Sequence, residues 1–336
     1  MNKAAFLPVF FIIIHLLSAI NPIYCQDNKQ NSEQNNEKNR KYGFSLGTGF
    51  GVTYGQALEM VYPVPGDTKG ELLSELTWDM KSVFYVGFYA DFGLIDPLSR
   101  PGFFSSLALK TGFQGETGKM EDRDWQSIEN GNLTNFSSHT NETQEFILID
   151  LAIGASFPIK YLYIKPFISG SWMRFSFTGR DGYFKYAEEI SYGIYGSITD
   201  AKEKPIIGKV ISYQQDWLLL AAGFSIGTNI LVPFSFDLSF QITPLTYCES
   251  IDNHLGRSLV FRDFTNYGLF LEPKGVISLA VKNINFLLDV SYRYISRTMG
   301  ESYIGSSKNT FFTLGENKAG AGLSLWNFQF IIKLNL

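Results

Sequence analysis

The C-terminal stretch constrains the fold most, because apolar and polar residues alternate along it. Apolar side chains occupy every second position from 326 to 336, and most residues between them are polar. The apolar residues are Trp326, Phe328, Phe330, Ile332, Leu334 and Leu336. Successive side chains of a β-strand point to opposite faces, so this stretch predicts a strand with one apolar face and one polar face. Residues 234–241 and 288–294 repeat the pattern.

Two all-β folds produce such alternation. A soluble sandwich buries the apolar face in its core, whereas a membrane barrel turns that face to lipid. The aromatic content of 16%, the apolar C-terminal strand and a secretory N-terminus favour the barrel. Only helices and closed barrels cross a bilayer, because every backbone polar group there must be paired. After residue 41, no uninterrupted apolar run approaches the length of a spanning helix.

The connections between strand segments indicate how many strands the barrel has. Short connections are predicted near 94–101, 157–161, 229–233 and 282–284, and long polar ones near 63–70, 115–143, 180–206, 248–263 and 299–317. Alternation of tight turns with long loops is typical of outer-membrane barrels. The sequence therefore predicts a ten-stranded antiparallel transmembrane β-barrel with long extracellular loops. Several strands approach about 20 residues, and at ~3.3 Å per residue they should project beyond the membrane.

The N-terminal region divides into two segments before the barrel domain at 43–336. Residues 1–25 have a positive start and an apolar run, which predicts a secretory signal peptide cleaved after Ala19 or Cys25. A membrane-anchor helix is the alternative, but the run is short for one. Residues 26–42 are polar and rich in Asn and Gln, which predicts a flexible lead. If Cys25 is removed, Cys248 alone remains and no internal disulfide can form.

Two motifs in the predicted outer loops contain groups capable of chemistry. Asp122 and Asp124 are two residues apart, as are Asp252 and His254. On an extended segment, residues two apart share one face. Each motif alone is also compatible with a solvated polar loop. Their joint position at the mouth of a barrel is what indicates a site.

The chemistry that these two pairs suggest is the activation of a water molecule. A carboxylate beside an imidazole raises its basicity and fixes its tautomer, which suits a general base. Paired carboxylates can share a proton and hold a water. His254 would take the proton, Asp252 would orient the imidazole, and Asp122 and Asp124 would position the water. No serine or cysteine is seen beside an obvious base, and no histidine-rich cluster predicts a metal site.

The chain resembles the omptin family of outer-membrane proteases. The match is carried by residues 122–125, where the family has D-x-D-W, and by residues 252–254, where it has D-x-H. Short supporting stretches keep the family's order from about residue 43 to 336. They are residues 45–48, 59–62, 73–78, 137–139, 175–178 and 319–322.

The resemblance implies an endopeptidase at the cell surface, with Asp122 and Asp124 as its aspartate couple and Asp252 and His254 as its dyad. Glu59 matches an acid at the base of the pocket that receives a basic substrate side chain, and a negative pocket favours Arg or Lys by charge pairing.

Several residues depart from the family's pattern. The family has a second pocket acid where this chain has Ser250, so a weaker or different preference for basic residues is expected. Ser137 matches a family serine and is read as structural, because no histidine in the motif is assigned to it. His139 is read as a solvated loop residue.

The lipopolysaccharide site of the family is poorly matched. Arg174 matches one of its basic residues, but Trp172 and Gly170 stand where the family has an acid and a tyrosine. Asp216 stands where the family has another arginine. Activation by lipopolysaccharide is thus implied by the family and weakly supported by these residues. No metal or organic cofactor is expected.

The sequence therefore predicts a monomeric endopeptidase in the outer membrane, in contact with membrane lipid. Its active site is expected to face the outside of the cell and to cleave extracellular polypeptides. The net charge of −4 and the lack of a basic tract give no indication of a nucleic-acid partner. One alternative is a non-enzymatic barrel, an adhesin or pore, that keeps the scaffold. Another is an outer-membrane enzyme acting on lipid, for which a Ser–His pair would be expected.

Overall fold

The computed structural model describes residues 42–63, 72–127, 131–306 and 312–336. The predicted signal peptide, and all of the predicted lead except Tyr42, lie outside these residues. The described chain is almost entirely β-strand, with one 3₁₀ helix at Ile198–Asp200. No helix within the described ranges is long and apolar enough to cross a membrane.

The described residues form seventeen strands. They are β1 Tyr42–Tyr62, β2 Ser74–Leu94, β3 Gly102–Gly112, β4 Gly115–Asp124, β5 Asn135–Ile159, β6 Leu162–Tyr186, β7 Glu189–Ser191, β8 Ile194–Tyr195, β9 Lys204–Pro205, β10 Lys209–Leu231, β11 Phe234–Thr243, β12 Thr246–His254, β13 Leu259–Asn266, β14 Phe270–Val281, β15 Ile284–Ile295, β16 Met299–Ser306 and β17 Thr313–Asn335.

Fifteen of these strands form one antiparallel sheet, and fourteen of them close into a ring of ten positions, while β9 pairs with the end of β6. Strands β1, β2, β5, β6, β10 and β17 each fill one position, and four positions hold two strands end to end: β3 with β4, β11 with β12, β14 with β13, and β15 with β16. Each position pairs with both neighbours, and β17 pairs with β1 to complete the ring. The ten predicted strands correspond to these positions, although four of them are interrupted.

The predicted short connections are confirmed. Of the five predicted long loops, 115–143, 248–263 and 299–317 are largely strand where the structure describes them, 180–206 is only partly strand, and 63–70 lies almost wholly outside the described residues. Residues 115–143 contain β4 and the start of β5, and within 248–263 only residues 255–258 lie outside strands. These polar segments continue the strands beyond the region of outward apolar side chains. Because polar groups lie on both faces there, the alternation that marks the rest of each strand is lost and the sequence resembles a loop.

Side-chain exposure distinguishes between the two folds that alternation allowed. On β17, Trp326 and Phe328 are 47% and 43% exposed, whereas Asn327 and Gln329 point inward and are buried. Arg293 of β15 is also buried, and its guanidinium bonds Glu272 at 2.6 Å and Asp150 at 3.1 Å. A sandwich would bury the apolar face; here the apolar face is outside, as lipid requires.

A layer of large apolar side chains fills the middle of the ring. Trp78 stacks against Phe177 and Tyr213 with ring centroids 5.6 Å and 5.4 Å apart. Along β2, Leu76 lines a cavity above this layer and Tyr89 lines another below it, with Trp78 and Tyr85 buried between them. No described residue lines both cavities. The layer therefore forms the floor of the upper cavity.

We expect Trp78→Ala to lower the free energy of unfolding by about 3–5 kcal/mol, because it leaves a void between two stacked rings. Denaturant titration of the protein refolded in detergent, followed by circular dichroism, measures the change. Trp326→Ala is the matched control, since its side chain lies on the exposed outer face. An equal effect of the two substitutions would show that the aromatic layer does not stabilise the fold in this way.

Candidate active site

The upper cavity has a volume of about 700 Å³ and is lined by residues from strands on all sides of the ring. Every residue that the sequence proposed for the site lines it: Glu59, Asp122, Asp124, Asp252 and His254. They come from β1, β4 and β12, and lie in strands rather than in the predicted loops. Inward-facing strand positions hold these side chains more rigidly than loops would.

Asp252 and His254 form a hydrogen-bonded pair on β12. His254 Nε2 lies 2.6 Å from Asp252 Oδ2, and the Asp252 side chain is 3% exposed. Burial lowers the pKa of His254, but the hydrogen bond and the charge of Asp252 outweigh burial, so the net pKa is raised above the usual value. The spacing of two along an extended strand gives this geometry, as the sequence predicted.

Asp122 and Asp124 lie on β4, with Asp122 paired in register with Leu76 of β2 and Ser137 of β5. The Ser74 hydroxyl donates to Asp122 Oδ1 at 3.2 Å, and the Asn135 amide donates to Asp124 Oδ2 at 3.1 Å. Burial and the charge of Asp124 raise the pKa of Asp122 to about 8. Burial also raises the pKa of Asp124.

The two pairs face one another across the ring. Going from β4 to β12, three positions intervene on one side (β5, β6, β10) and five on the other (β2, β1, β17, β16, β13). The field of each pair reaches the other, since His254 lowers the pKa of both aspartates and Asp122 raises that of His254. Residues about 130 apart in the chain thus share one cavity.

A Ser–His pair lines the same cavity, contrary to the sequence analysis. His139 Nε2 lies 3.0 Å from Ser137 Oγ, and His139 Nδ1 lies 2.6 Å from the Asp181 carbonyl oxygen. Because that oxygen accepts, Nδ1 carries the proton and Nε2 accepts from the serine hydroxyl. Both side chains are buried, so the reading of His139 as a solvated loop residue is wrong.

A bulge in β6 creates the contact to His139. Asp181 and Gly182 both have positive φ, at 52° and 102°, and stand opposite the single residue His139 of β5. A Cβ on Gly182 would lie 2.0 Å from the Ser138 carbonyl oxygen, so only glycine fits there. Bulges of this kind redirect groups beside active sites; here the redirected group is the Asp181 carbonyl. The bulge left no signal in the alternation pattern.

A second acid, Asp263, was missed by the sequence analysis. It lies on β13 directly opposite Ser250, whose hydroxyl donates to Asp263 Oδ2 at 3.4 Å. Glu59 and Asp263 are 4% and 3% exposed, and both line the cavity. The signal was present in the hairpin register: a turn centred at 256–257 places residue 250 opposite residue 263.

The cavity is strongly acidic. Its lining includes six carboxyl side chains, from Glu59, Asp122, Asp124, Asp252, Asp263 and Glu316, and two cationic ones, from Arg257 and Lys318. Among the described residues, no group of three or more His, Cys, Asp or Glu side chains is arranged to hold a metal ion. The arrangement suits proton transfer and the binding of a cation.

The residue that matches the lipopolysaccharide site already has a partner. Arg174 Nε and Nη2 donate to the two carboxylate oxygens of Asp216 at 2.7 Å and 3.0 Å. Gln214 also donates to Asp216 Oδ2, at 2.7 Å. Asp216 thus occupies Nε and one position of Nη2 in the bidentate geometry that a phosphate would otherwise use.

One solved structure shares the fold over most of its length. The outer membrane protease OmpT from Escherichia coli superposes with a TM-score of 0.76 at 18% identity, covering 88% of this chain and 97% of that one. The translocator domain of the autotransporter NalP from Neisseria meningitidis covers 98% of this chain at 8% identity, but its TM-score is only 0.30. No curated protein sequence matches the chain significantly.

The family model described as the omptin family matches residues 40–334, nearly the whole chain. The earlier resemblance, drawn from short motifs, is thereby confirmed, and the outer membrane is the location that goes with it. The chain belongs to the omptin family of outer-membrane proteases.

Proposed function

We propose that this protein is an endopeptidase that hydrolyses extracellular polypeptides with a water activated between Asp122–Asp124 and Asp252–His254. The observation that carries the proposal is the shared cavity, which brings the two pairs together from opposite sides of the ring. Family membership and the proteolytic activity of the relative named above support the same reaction class.

The position of the cavity indicates which end of the ring meets substrate. Large apolar side chains are exposed along the opposite half of the ring, for example Phe84 and Phe88 of β2 and Phe224 of β10. Such an apolar belt is typical of the part of a barrel that spans a bilayer. We infer a ten-stranded transmembrane barrel whose cavity end projects from the membrane, on the cell exterior.

Proton positions follow from the hydrogen bonds. His254 Nε2–H donates to Asp252, which leaves the Nδ1 lone pair as the base. Nδ1 takes a proton from water as the water oxygen bonds to the substrate carbonyl carbon. The C–N bond then breaks and the imidazolium returns its proton to the leaving amine.

The aspartate couple holds one proton in this scheme. With the pKa of Asp122 raised to about 8, its carboxyl is protonated at neutral pH. The ionised oxygens of the couple accept from the attacking water, and the protonated carboxyl donates to the substrate carbonyl oxygen. Two carboxylates that share a proton are suited to both tasks.

The Ser137–His139 pair offers a second mechanism, with serine as nucleophile. Its histidine is a weaker base than His254, because burial lowers the pKa of His139 and a neutral carbonyl orients it in place of a carboxylate. Ser137 is also only 4% exposed. We therefore assign the role of nucleophile to water. The Ser137–His139 pair stabilises the side of the cavity next to Asp122.

A purely structural barrel explains the site less well. A pore is disfavoured because the aromatic layer lies across the middle of the ring. For an adhesin, buried carboxyl oxygens without partners on Glu59, Asp252 and Asp263 reduce stability unless a cation binds them. A surface protein that only binds has no need of the Asp252–His254 dyad or of the Asp122–Asp124 couple beside these acids.

We expect Asp252→Asn to lower the pKa of His254 by about 1 or more, because the carboxylate that stabilises the imidazolium is lost. NMR titration of ring-labelled histidines in detergent micelles gives the value. His139 is the internal control: its pKa starts below the usual value and should stay there. A pKa of His254 that does not change would contradict the dyad.

We expect His254→Ala and Asp122→Ala each to reduce kcat/KM by roughly 10²–10⁴-fold on a peptide library, as for loss of a general base or its partner. The control variant Ser137→Ala should lose no more than about 10-fold, since only a neighbouring hydrogen bond is removed. Background cleavage by all the proteins, including the unaltered one, would favour the non-enzymatic barrel. Abolished cleavage in Ser137→Ala, with a covalent fluorophosphonate adduct on the unaltered protein, would favour the serine mechanism.

We propose that catalysis does not depend on lipopolysaccharide, because Asp216 already neutralises Arg174. Protein refolded in detergent without lipopolysaccharide should cleave peptides at the rate seen after lipopolysaccharide is added. Phosphatidylglycerol serves as the control for anionic lipid in general. Activity that appears only with lipopolysaccharide would contradict this prediction.

A further inference from the structure

Two buried acids in the cavity have oxygens that nothing in the described chain satisfies. Glu59 Oε2 on β1 and Asp263 Oδ1 on β13 are both buried without a hydrogen-bond partner. Both side chains line the cavity that holds the proposed water site. An unsatisfied buried carboxylate oxygen is costly, so each is expected to meet a partner from outside the chain.

Two of the residues that lie between these two acids around the ring are small. Strands β17 and β16 lie between β1 and β13 in the ring. The cavity-lining residues that they contribute include Ala319, which is 2% exposed, and Ser302, which lies opposite Asp263 in register. Neither side chain is charged, although the Ser302 hydroxyl interacts with Asp263. Lys318 of β17 also lines the cavity, but it satisfies neither Glu59 Oε2 nor Asp263 Oδ1. The cavity of about 700 Å³ that both acids line has room for a long substrate side chain.

We infer that Glu59 and Asp263 together receive a cationic side chain of the substrate, with Asp263 supplying from β13 the acid that Ser250 lacks on β12. This inference rests on the proposed peptide hydrolysis. Ser250 does not line the cavity, but its hydroxyl donates to Asp263 Oδ2 and leaves Oδ1 for the ligand. The assignment makes Asp263 a residue that determines specificity.

An acid on β13 lies closer to Glu59 around the ring than an acid on β12 would. In the order β12, β13, β16, β17, β1, an acid on β13 is one position nearer to Glu59 than an acid on β12. Carboxylates that converge from two sides match the several N–H donors of a guanidinium. On β12, Asp252 is then the one acid that lines the cavity.

Electrostatics favour a cation over a neutral side chain of the same shape. Burial, together with the charges of Asp252 and Asp263, raises the pKa of Glu59. Burial and the charge of Asp252 together raise the pKa of Asp263 to about 7, although hydrogen bonds from Ser302 and Ser250 act to lower it. An incoming guanidinium stabilises both ionised forms, so its binding should be accompanied by proton release.

The test compares a peptide with arginine at the cleaved bond with the same peptide carrying citrulline, which has the same shape and no charge. We expect the unaltered protein to prefer arginine, and Asp263→Asn to reduce the arginine-to-citrulline ratio of kcat/KM by roughly 10- to 100-fold, as for loss of one charge-assisted hydrogen bond. The ratio cancels any common effect of the variant on catalysis. Circular dichroism in detergent confirms folding.

Two further variants make the test specific. Glu249→Gln is the matched control: it removes an adjacent acid that pairs with Arg262 and does not line the cavity, so its ratio should not change. The double variant Ser250→Asp/Asp263→Ser keeps the number of acids but moves one of them from β13 to β12. Compared with Asp263→Asn, it should restore much of the preference for arginine.

The outcomes separate the two proposals. An unchanged ratio in Asp263→Asn, or an unaltered protein that cleaves both peptides equally well, overturns the role of Asp263 and leaves peptide hydrolysis standing. If Asp263→Asn does not fold, the ratio measured for the exchanged variant and for the unaltered protein decides in its place. An unaltered protein that cleaves no peptide overturns the proposed function and, with it, this inference.

Discussion

The backbone pairing of the closed ring determines which way the side chains face. In a bilayer every backbone N–H and C=O must find a partner within the protein, and ten strand positions that each pair with two neighbours provide this. Once the outer face is apolar, alternation forces polar and charged residues inward. Inward charges such as Arg293, held by Glu272 and Asp150, are a consequence of that rule.

The same rule gives the cavity its chemical character. Where the strands continue beyond the apolar belt, every second side chain still points into the ring. The outward side chains there face water instead of lipid, so they need not be apolar. Asp122 and Asp252 occupy such positions, with the aromatic layer around Trp78 beneath them. The layer limits water on one side, which strengthens the interactions between charges above it. A site of fixed geometry can thus be built on strands instead of loops.

The sequence predicted the parts of this structure that depend on local periodicity. The alternation at 326–336 identified the strand type, and a spacing of two residues placed Asp252 beside His254. It failed where strands lose their alternation: β4 and β12 were taken for loops because both of their faces are polar. It also failed where a contact depends on register or on a bulge, as for Asp263 opposite Ser250 and for His139 opposite Asp181.

The buried acids show how fold and site are related energetically. An unsatisfied buried polar group typically costs about 1–3 kcal/mol, and Glu59, Asp252 and Asp263 each have one such oxygen. The long hydrogen-bonded strands on either side supply the rigidity that keeps these groups buried. In a flexible loop, the same carboxylates would turn to solvent and pair with water, and the raised pKa values of Glu59 and Asp263 would return towards the usual range. Because the strands prevent that relaxation, these oxygens stay buried without a partner in the described chain. In the proposed reaction, a substrate cation satisfies those of Glu59 and Asp263.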